Sequence, residues 1–306
     1  MNWTGVLPAM TTAFKPDMTV DRATVARHAQ WLVQNGCSGV ICLGSLSEAP
    51  TLSMAEKKDI LKTVVAALGG KAPVVGTVSA LSTADAVELA RAAHDAGCSG
   101  LMILPPYVYK GDWRESKAHI AAVLKAAPLP GMLYNNPIAY GTDFLPEQIA
   151  ELAKEYPNLS AVKESSADVR RVSSIRALLD DRLSVLVGVD DVIVEGIAAG
   201  AVGWVAGLVN AMPRESVDLF RLASAGQMKE AFELYRWFLP LLRMDTVPKF
   251  VQLIKQVQQE AGAGWARVRA PRLELCGEEL ESARATYEFA QAHRPTCAAA
   301  STPFPA

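Results

Sequence analysis

The 306 residues carry 30 lysines and arginines against 32 aspartates and glutamates, a net charge of −2, and half of them are hydrophobic. That near-balance, with no Lys/Arg cluster, speaks against a nucleic-acid binder, and a chain of this length can bury a large core. No apolar stretch approaches the roughly 20 residues of a membrane span. The opening Met1-Asn2-Trp3-Thr4-Gly5 lacks the basic region and apolar core of a signal peptide, so a soluble, cytoplasmic protein is expected.

From residue 6 to about residue 210, β-rich runs alternate with amphipathic stretches. The predicted strands are residues 6–12, 39–43, 74–78, 100–104, 131–134, 159–163, 184–188 and 202–205. Their continuous apolar character, rather than strict alternation, fits parallel strands covered on both faces. The spacing predicts helices over 21–34, 54–68, 84–96 and 113–126, with Asp21 as a cap and Ser53 with Glu56 as a capping box. Gly36-Cys37-Ser38-Gly39-Val40-Ile41-Cys42-Leu43 is echoed by Gly97-Cys98-Ser99-Gly100-Leu101-Met102-Ile103-Leu104, each joining a helix end to a new strand. Eight such units without a break favour an α/β fold, the (β/α)8 TIM barrel, over a doubly wound sheet.

After residue 212 strands stop and helices continue, with Phe250, Leu253, Ile254 and Val257 on one apolar face and Pro248 in the first turn. The expected organisation is a barrel over 1–212, C-terminal helices packed on it over 213–294, and a disordered Ala/Pro/Ser/Thr-rich tail over 295–306.

The five cysteines form no CxxC pair, and the four histidines fall on separate predicted helices as packing or surface residues. No metal or other cofactor is expected. A small-molecule substrate is the partner that the composition leaves open, with neither nucleic acid nor membrane.

Lys163 closes the apolar run Leu159-Ser160-Ala161-Val162. An ammonium there loses much of its hydration, which lowers its pKa, and a neutral amine attacks carbonyl carbon to give a Schiff base. An isolated strand-end lysine more simply reaches water. This one has company: Tyr134 ends the fifth strand and Gly44-Ser45-Leu46-Ser47-Glu48 follows the second. In a barrel all three open onto the C-terminal face. The turn's free N–H groups and hydroxyls suit a carboxylate, and a phenol beside an imine can move protons at the adjacent carbon.

Gly44-Ser45-Leu46-Ser47-Glu48, Tyr134-Asn135-Asn136-Pro137, Val162-Lys163-Glu164-Ser165-Ser166 and Gly188-Val189-Asp190-Asp191 occur in this order. With them the chain resembles the dihydrodipicolinate synthase/N-acetylneuraminate lyase family over about residues 3–290. The resemblance implies a class I Schiff-base enzyme, commonly a homotetramer built as a dimer of dimers, with a dimer the smaller alternative. It implies Lys163 as nucleophile, Tyr134 as proton shuttle and Ser45 with the Leu46 backbone as carboxylate holder. It also implies pocket-lining backbone at Gly188 and Val205, and Ser47 is expected among the substrate contacts.

The departures narrow the reading. The arginine that holds a second substrate's carboxylate in the lysine-biosynthesis synthases is Ala139 here, and a hydroxyl residue is replaced by Leu46. Their paired tyrosines after strand four appear as Tyr107-Val108, with Tyr109 one place later. The tyrosine lent across the subunit interface is then missing, and Ser47 or a bound water is expected to take its part.

The segments Asn2–Phe14 and Asn135–Tyr140 are similar to the branch that deaminates 1-pyrroline-4-hydroxy-2-carboxylate, in hydroxyproline degradation, to 2,5-dioxopentanoate and ammonia. A pyruvate-type aldolase acting on 4-hydroxy-2-oxoglutarate or a related acid and a 2-oxo-3-deoxy sugar-acid dehydratase are the alternatives within the family. Outside it stand a non-catalytic carboxylate-binding regulatory protein, a metal-dependent aldolase, and a phosphate-binding barrel resting on Gly203-Trp204-Val205-Ala206-Gly207.

Overall fold

The computed structural model describes residues 1–305. The chain alternates β1 (Gly5–Pro8), α1 (Arg22–Gln34), β2 (Val40–Cys42), α2 (Met54–Leu68), β3 (Val74–Val78), α3 (Thr83–Asp95), β4 (Gly100–Ile103) and α4 (Trp113–Ala126). It continues with β5 (Gly131–Asn135), a short α5 (Pro137–Tyr140), α6 (Pro146–Glu155), β6 (Leu159–Glu164), α7 (Arg170–Leu179), β7 (Ser184–Val187), α8 (Ile193–Ala198) and β8 (Gly203–Ala206). Every strand pairing is parallel, in the order β1-β8-β7-β6-β5-β4-β3-β2. A parallel bridge between Ala9 and Ile41 joins the two ends of that series, so the sheet closes as a (β/α)8 barrel. The eight predicted strands are all present. The first is shorter than expected, because beyond Pro8 the chain keeps only the Ala9 bridge.

Local sequence sets the helix starts. The side chains of Asp21, Ser53, Ser82 and Asp112 each accept a backbone N–H in the first turn of the following helix. The Ser53/Glu56 capping box is complete. Gly36 and Gly97, the two glycines of the internal echo, take φ of +100° and +88°, which side chains rarely adopt.

Four further helices follow the barrel: α9 (Pro213–Ser224), α10 (Met228–Leu242), α11 (Phe250–Glu260) and α12 (Gly277–Ala292). Helix α11 buries Val251, Ile254 and Val257, and begins at Phe250, so Pro248 stands just outside its first turn. Two of its polar residues are buried against the barrel. Lys255 Nζ meets Glu48 at 2.9 Å and the Thr12 carbonyl at 3.0 Å, and Gln258 accepts from the Thr11 hydroxyl at 2.8 Å.

The tail departs from its expected disorder. The Thr302 carbonyl accepts from the Trp31 indole at 2.8 Å, and its N–H reaches the Asn35 side chain at 2.9 Å. The Ser301 hydroxyl donates to Glu215 at 2.6 Å, and Phe304 stands edge-on to Trp31 with centroids 5.5 Å apart. The composition is that of a loose segment, but Thr302 and Phe304 find partners on α1. Ala306 lies outside the described residues.

Candidate active site

Lys163 and Tyr134 are register partners on β6 and β5, so both project from the same level of the barrel. Both are buried, and the lysine amine lies 4.1 Å from the centroid of the Tyr134 ring. Burial pushes the Lys163 amine below its ordinary range, while the charges of Asp245, Tyr140 and Asp190 pull the other way. Gly188, directly after β7, leaves room for the stem. A Cβ there would lie 2.4 Å from Lys163 Cε and 2.0 Å from Ser165 Oγ. The absence of a side chain at Gly188 thus has a steric reason.

The segment after β5 supplies a residue that sequence reasoning missed. Pro137 at the first helical position and the Asn136 side chain, which accepts from Ala139 N–H at 3.0 Å, start the single turn of α5. That turn swings Tyr140 back over the strand end, its ring edge-to-face with Tyr134 at 5.7 Å. The Tyr140 hydroxyl is hydrogen-bonded to Ser45, and Tyr107 packs on its other side with centroids 6.1 Å apart. Asn136 Nδ2 donates to the Tyr134 phenol at 3.1 Å. Burial raises both phenols above the usual tyrosine range, opposed at Tyr134 by Asn136 and the neighbouring Ser165 and Tyr140 hydroxyls. Tyr109 faces outward, its hydroxyl on Glu115 at 3.0 Å.

The β2 turn divides its residues. Ser47 N–H and Glu48 N–H bond back to the Gly44 and Ser45 carbonyls, and no backbone acceptor takes the Ser45 or Leu46 N–H among the described residues. Those two amides suit a carboxylate. The Leu46 side chain is in the core. Ser47 corrects its expected part: its hydroxyl donates to the Met10 carbonyl and its own carbonyl accepts from Thr12 at 2.8 Å. It holds the turn to the chain after β1. Glu48, in the left-handed region at φ +57°, anchors the turn to α11.

Asp190 is structural by its contacts. Its carboxylate accepts from the Trp204 indole at 3.0 Å, from Gly207 N–H at 3.1 Å and from Leu208 N–H at 2.8 Å, and burial raises it to about 6. The N–H groups that a phosphate would need after β8 are therefore occupied. Val205 is buried in β8, paired with Leu7. Gly203 serves close strand packing, since a Cβ there would come within 2.9 Å of Leu186.

Residues 2–290 match the dihydrodipicolinate synthetase family. The chain belongs to this family. Its members are class I aldolase-type enzymes that work through a Schiff base. Among relatives, the 4-hydroxy-tetrahydrodipicolinate synthase of Desulforamulus reducens is 29% identical over 279 residues, covering 91% of this chain and 94% of its own. The enzyme of the same name from Methanococcus maripaludis is 31% identical over 272 residues, covering 89% and 93%. The structure of the 4-hydroxy-tetrahydrodipicolinate synthase of Methylacidiphilum fumariolicum SolV superposes with a TM-score of 0.91 at 25% identity, covering 95% and 97%. No helix among the described residues is long and apolar enough to cross a membrane.

Proposed function

We propose that this family member is a Schiff-base deaminase, with Lys163 as nucleophile and 1-pyrroline-4-hydroxy-2-carboxylate as substrate. The observation that carries the catalytic part is the enclosure of the Lys163 amine against Tyr134, with the Tyr140 ring edge-on to Tyr134 and its hydroxyl bonded to Ser45. The substrate rests on the resemblance of Asn2–Phe14 and Asn135–Tyr140, and on Ala139 standing where a second carboxylate would need a cation.

The neutral amine of Lys163 adds to the imine carbon, exchanges imines and opens the ring, leaving a primary amine on carbon 5. The substrate carboxylate lies on the Ser45 and Leu46 amides. Tyr134, relayed through Tyr140 and Ser45 within one chain, takes the carbon 3 proton and gives an enamine. The enamine expels the carbon 4 hydroxyl as water, and tautomerisation places an imine at carbon 5. Two hydrolyses then release ammonia and free Lys163, with a net consumption of one water. Ser47 plays no part in the relay, and an active homo-oligomer needs no tyrosine from its partner.

The test is borohydride trapping with pyruvate, followed by peptide mapping, beside turnover of three compounds. A mass adduct at Lys163, absent in Lys163→Ala, is expected, with ammonia released from hydroxypyrroline carboxylate. No adduct would identify a binding protein. Pyruvate released from 4-hydroxy-2-oxoglutarate, with no ammonia from the first compound, would move the reading to aldolase. Turnover confined to a 2-oxo-3-deoxy sugar acid would make it a dehydratase.

A further inference from the structure

Of the buried carboxyl groups around the barrel mouth, Glu48 is paired with Lys255, Asp190 accepts three N–H groups, and Glu164 accepts from Ser166 N–H at 2.7 Å and from Asn135 at 3.0 Å. Asp245 differs. It stands on the 3-10 turn Arg243–Thr246 that follows α10, outside every barrel strand. Its Oδ1 is buried and has no hydrogen-bond partner among the described residues. The carboxyl fills the space above Gly207, where a Cβ would lie 2.1 Å from Oδ1. A buried polar atom left unpaired is costly, and such atoms in native proteins call for a functional account.

We propose that Asp245 is the general acid that protonates the carbon 4 hydroxyl as it leaves. This rests on the reading of Lys163 as the imine-forming residue and of a 4-hydroxy substrate. Hydroxide is a poor leaving group, and Tyr134 and Tyr140 are already committed to the proton on carbon 3. Asp245 packs on Gly207, the residue directly after β8, at the C-terminal end of the barrel where Lys163 stands near the end of β6. Burial and the Asp190 charge hold its proton well above the usual carboxylate range. A carboxyl that keeps its proton to higher pH is the better donor.

The step balances without an added reagent. The enamine nitrogen pair re-forms the imine to carbon 2, and the double bond shifts from carbons 2 and 3 to carbons 3 and 4. The carbon 4–oxygen bond breaks, and the oxygen leaves as water with the Asp245 proton. The carboxylate recovers a proton from solvent as water enters for the hydrolyses.

Asp245→Asn tests this with two substrates, 1-pyrroline-4-hydroxy-2-carboxylate and its 4-fluoro analogue, each measured above the enzyme-free background. Fluoride leaves unprotonated. The variant is expected to release ammonia about 10²-fold more slowly from the hydroxy compound, the lower end of general-acid contributions, yet to stay within a few-fold of wild type on the fluoro compound. Its borohydride adduct with pyruvate is expected to be intact, which shows that it folds. Equal losses on both substrates, or no loss on the hydroxy compound, would overturn the assignment. Wild-type protein that forms no adduct, or forms it and releases no ammonia, would instead sink the functional reading beneath it.

Discussion

Gly188 lacks a side chain where the stem of Lys163 runs: a Cβ at that position would sit 2.4 Å from Cε and 2.7 Å from Cγ of the lysine. Neither atom is at the flexible end of an exposed chain, since Lys163 is buried. Gly188→Ala must therefore move the amine off its line to the substrate carbon. The backbone of Gly188 does not need positive φ, so the fold is expected to survive. Borohydride-trapped adduct with pyruvate is expected to form about 10²-fold more slowly, the scale of a displacement near 1 Å in an attacking group. An unchanged trapping rate would show that the stem has a second path.

The amine's protonation gives a prediction in pH. Burial lowers Lys163 below its ordinary 10.5, so the rate of imine formation is expected to rise with pH and level off below that value. The stability effect has a definite sign. With the folded pKa below the unfolded one, the unfolded chain holds the extra proton between the two values, and stability rises with pH across that window. Lys163→Met removes the titration, so its gain in Tm over wild type is expected to be full below the folded pKa and to shrink as pH climbs toward 10.5. A gap that stays constant with pH would refute the lowered value.

In the proposed relay, Tyr140 stands between Tyr134 and Ser45. Tyr140→Phe keeps the ring beside Tyr134 and Tyr107 and removes only the hydroxyl bonded to Ser45. Imine formation with pyruvate is expected to continue, while exchange of its methyl protons in D2O falls by about 10²-fold. Ser45→Ala is expected to slow the exchange less and to raise KM as well, because Ser45 also stands at the carboxylate turn. Exchange at the wild-type rate in Tyr140→Phe would return the relay to a partner subunit or to water.

The barrel was legible because each of its strands is an apolar run set between capped helices, and Asp21 and Ser53 cap as their positions predict. Lys163 and Tyr134 were legible as strand ends, and the parallel register makes them neighbours. Tyr140 was not, because its placement depends on one helical turn after a strand. The signal was present in Asn136-Pro137, a cap followed by a helix-starting proline, which places the fourth helical residue back over the strand end. Asp245 had no local signal at all. It belongs to the C-terminal helices, and only tertiary packing carries it to Gly207. Ser47 and the tail were read from a small polar composition as available and loose, whereas the Ser47 hydroxyl donates to the Met10 carbonyl and the Thr302 carbonyl accepts from the Trp31 indole.

An ion pair ties the turn after β2 to α11. Glu48 and Lys255 are both almost fully enclosed, 2.9 Å apart, with Glu48 Oε2 also accepting from Arg269 N–H at 2.8 Å. Removing one partner leaves a buried charge unpaired, which costs about 3–5 kcal/mol. Glu48→Gln and Lys255→Met are each expected to lose that much in urea unfolding, and the double variant to lose less than the sum of the two. Glu48 also fixes the turn that carries Ser45 and the two free amides. Glu48→Gln is therefore expected to raise KM for the carboxylate substrate at temperatures where the variant is still folded, whereas Arg284→Ala, which breaks the exposed pair with Glu260 on the same helix, should leave KM unchanged. Additive losses in the double variant would show that the two charges are not coupled, and the C-terminal helices would then have no hold on the turn.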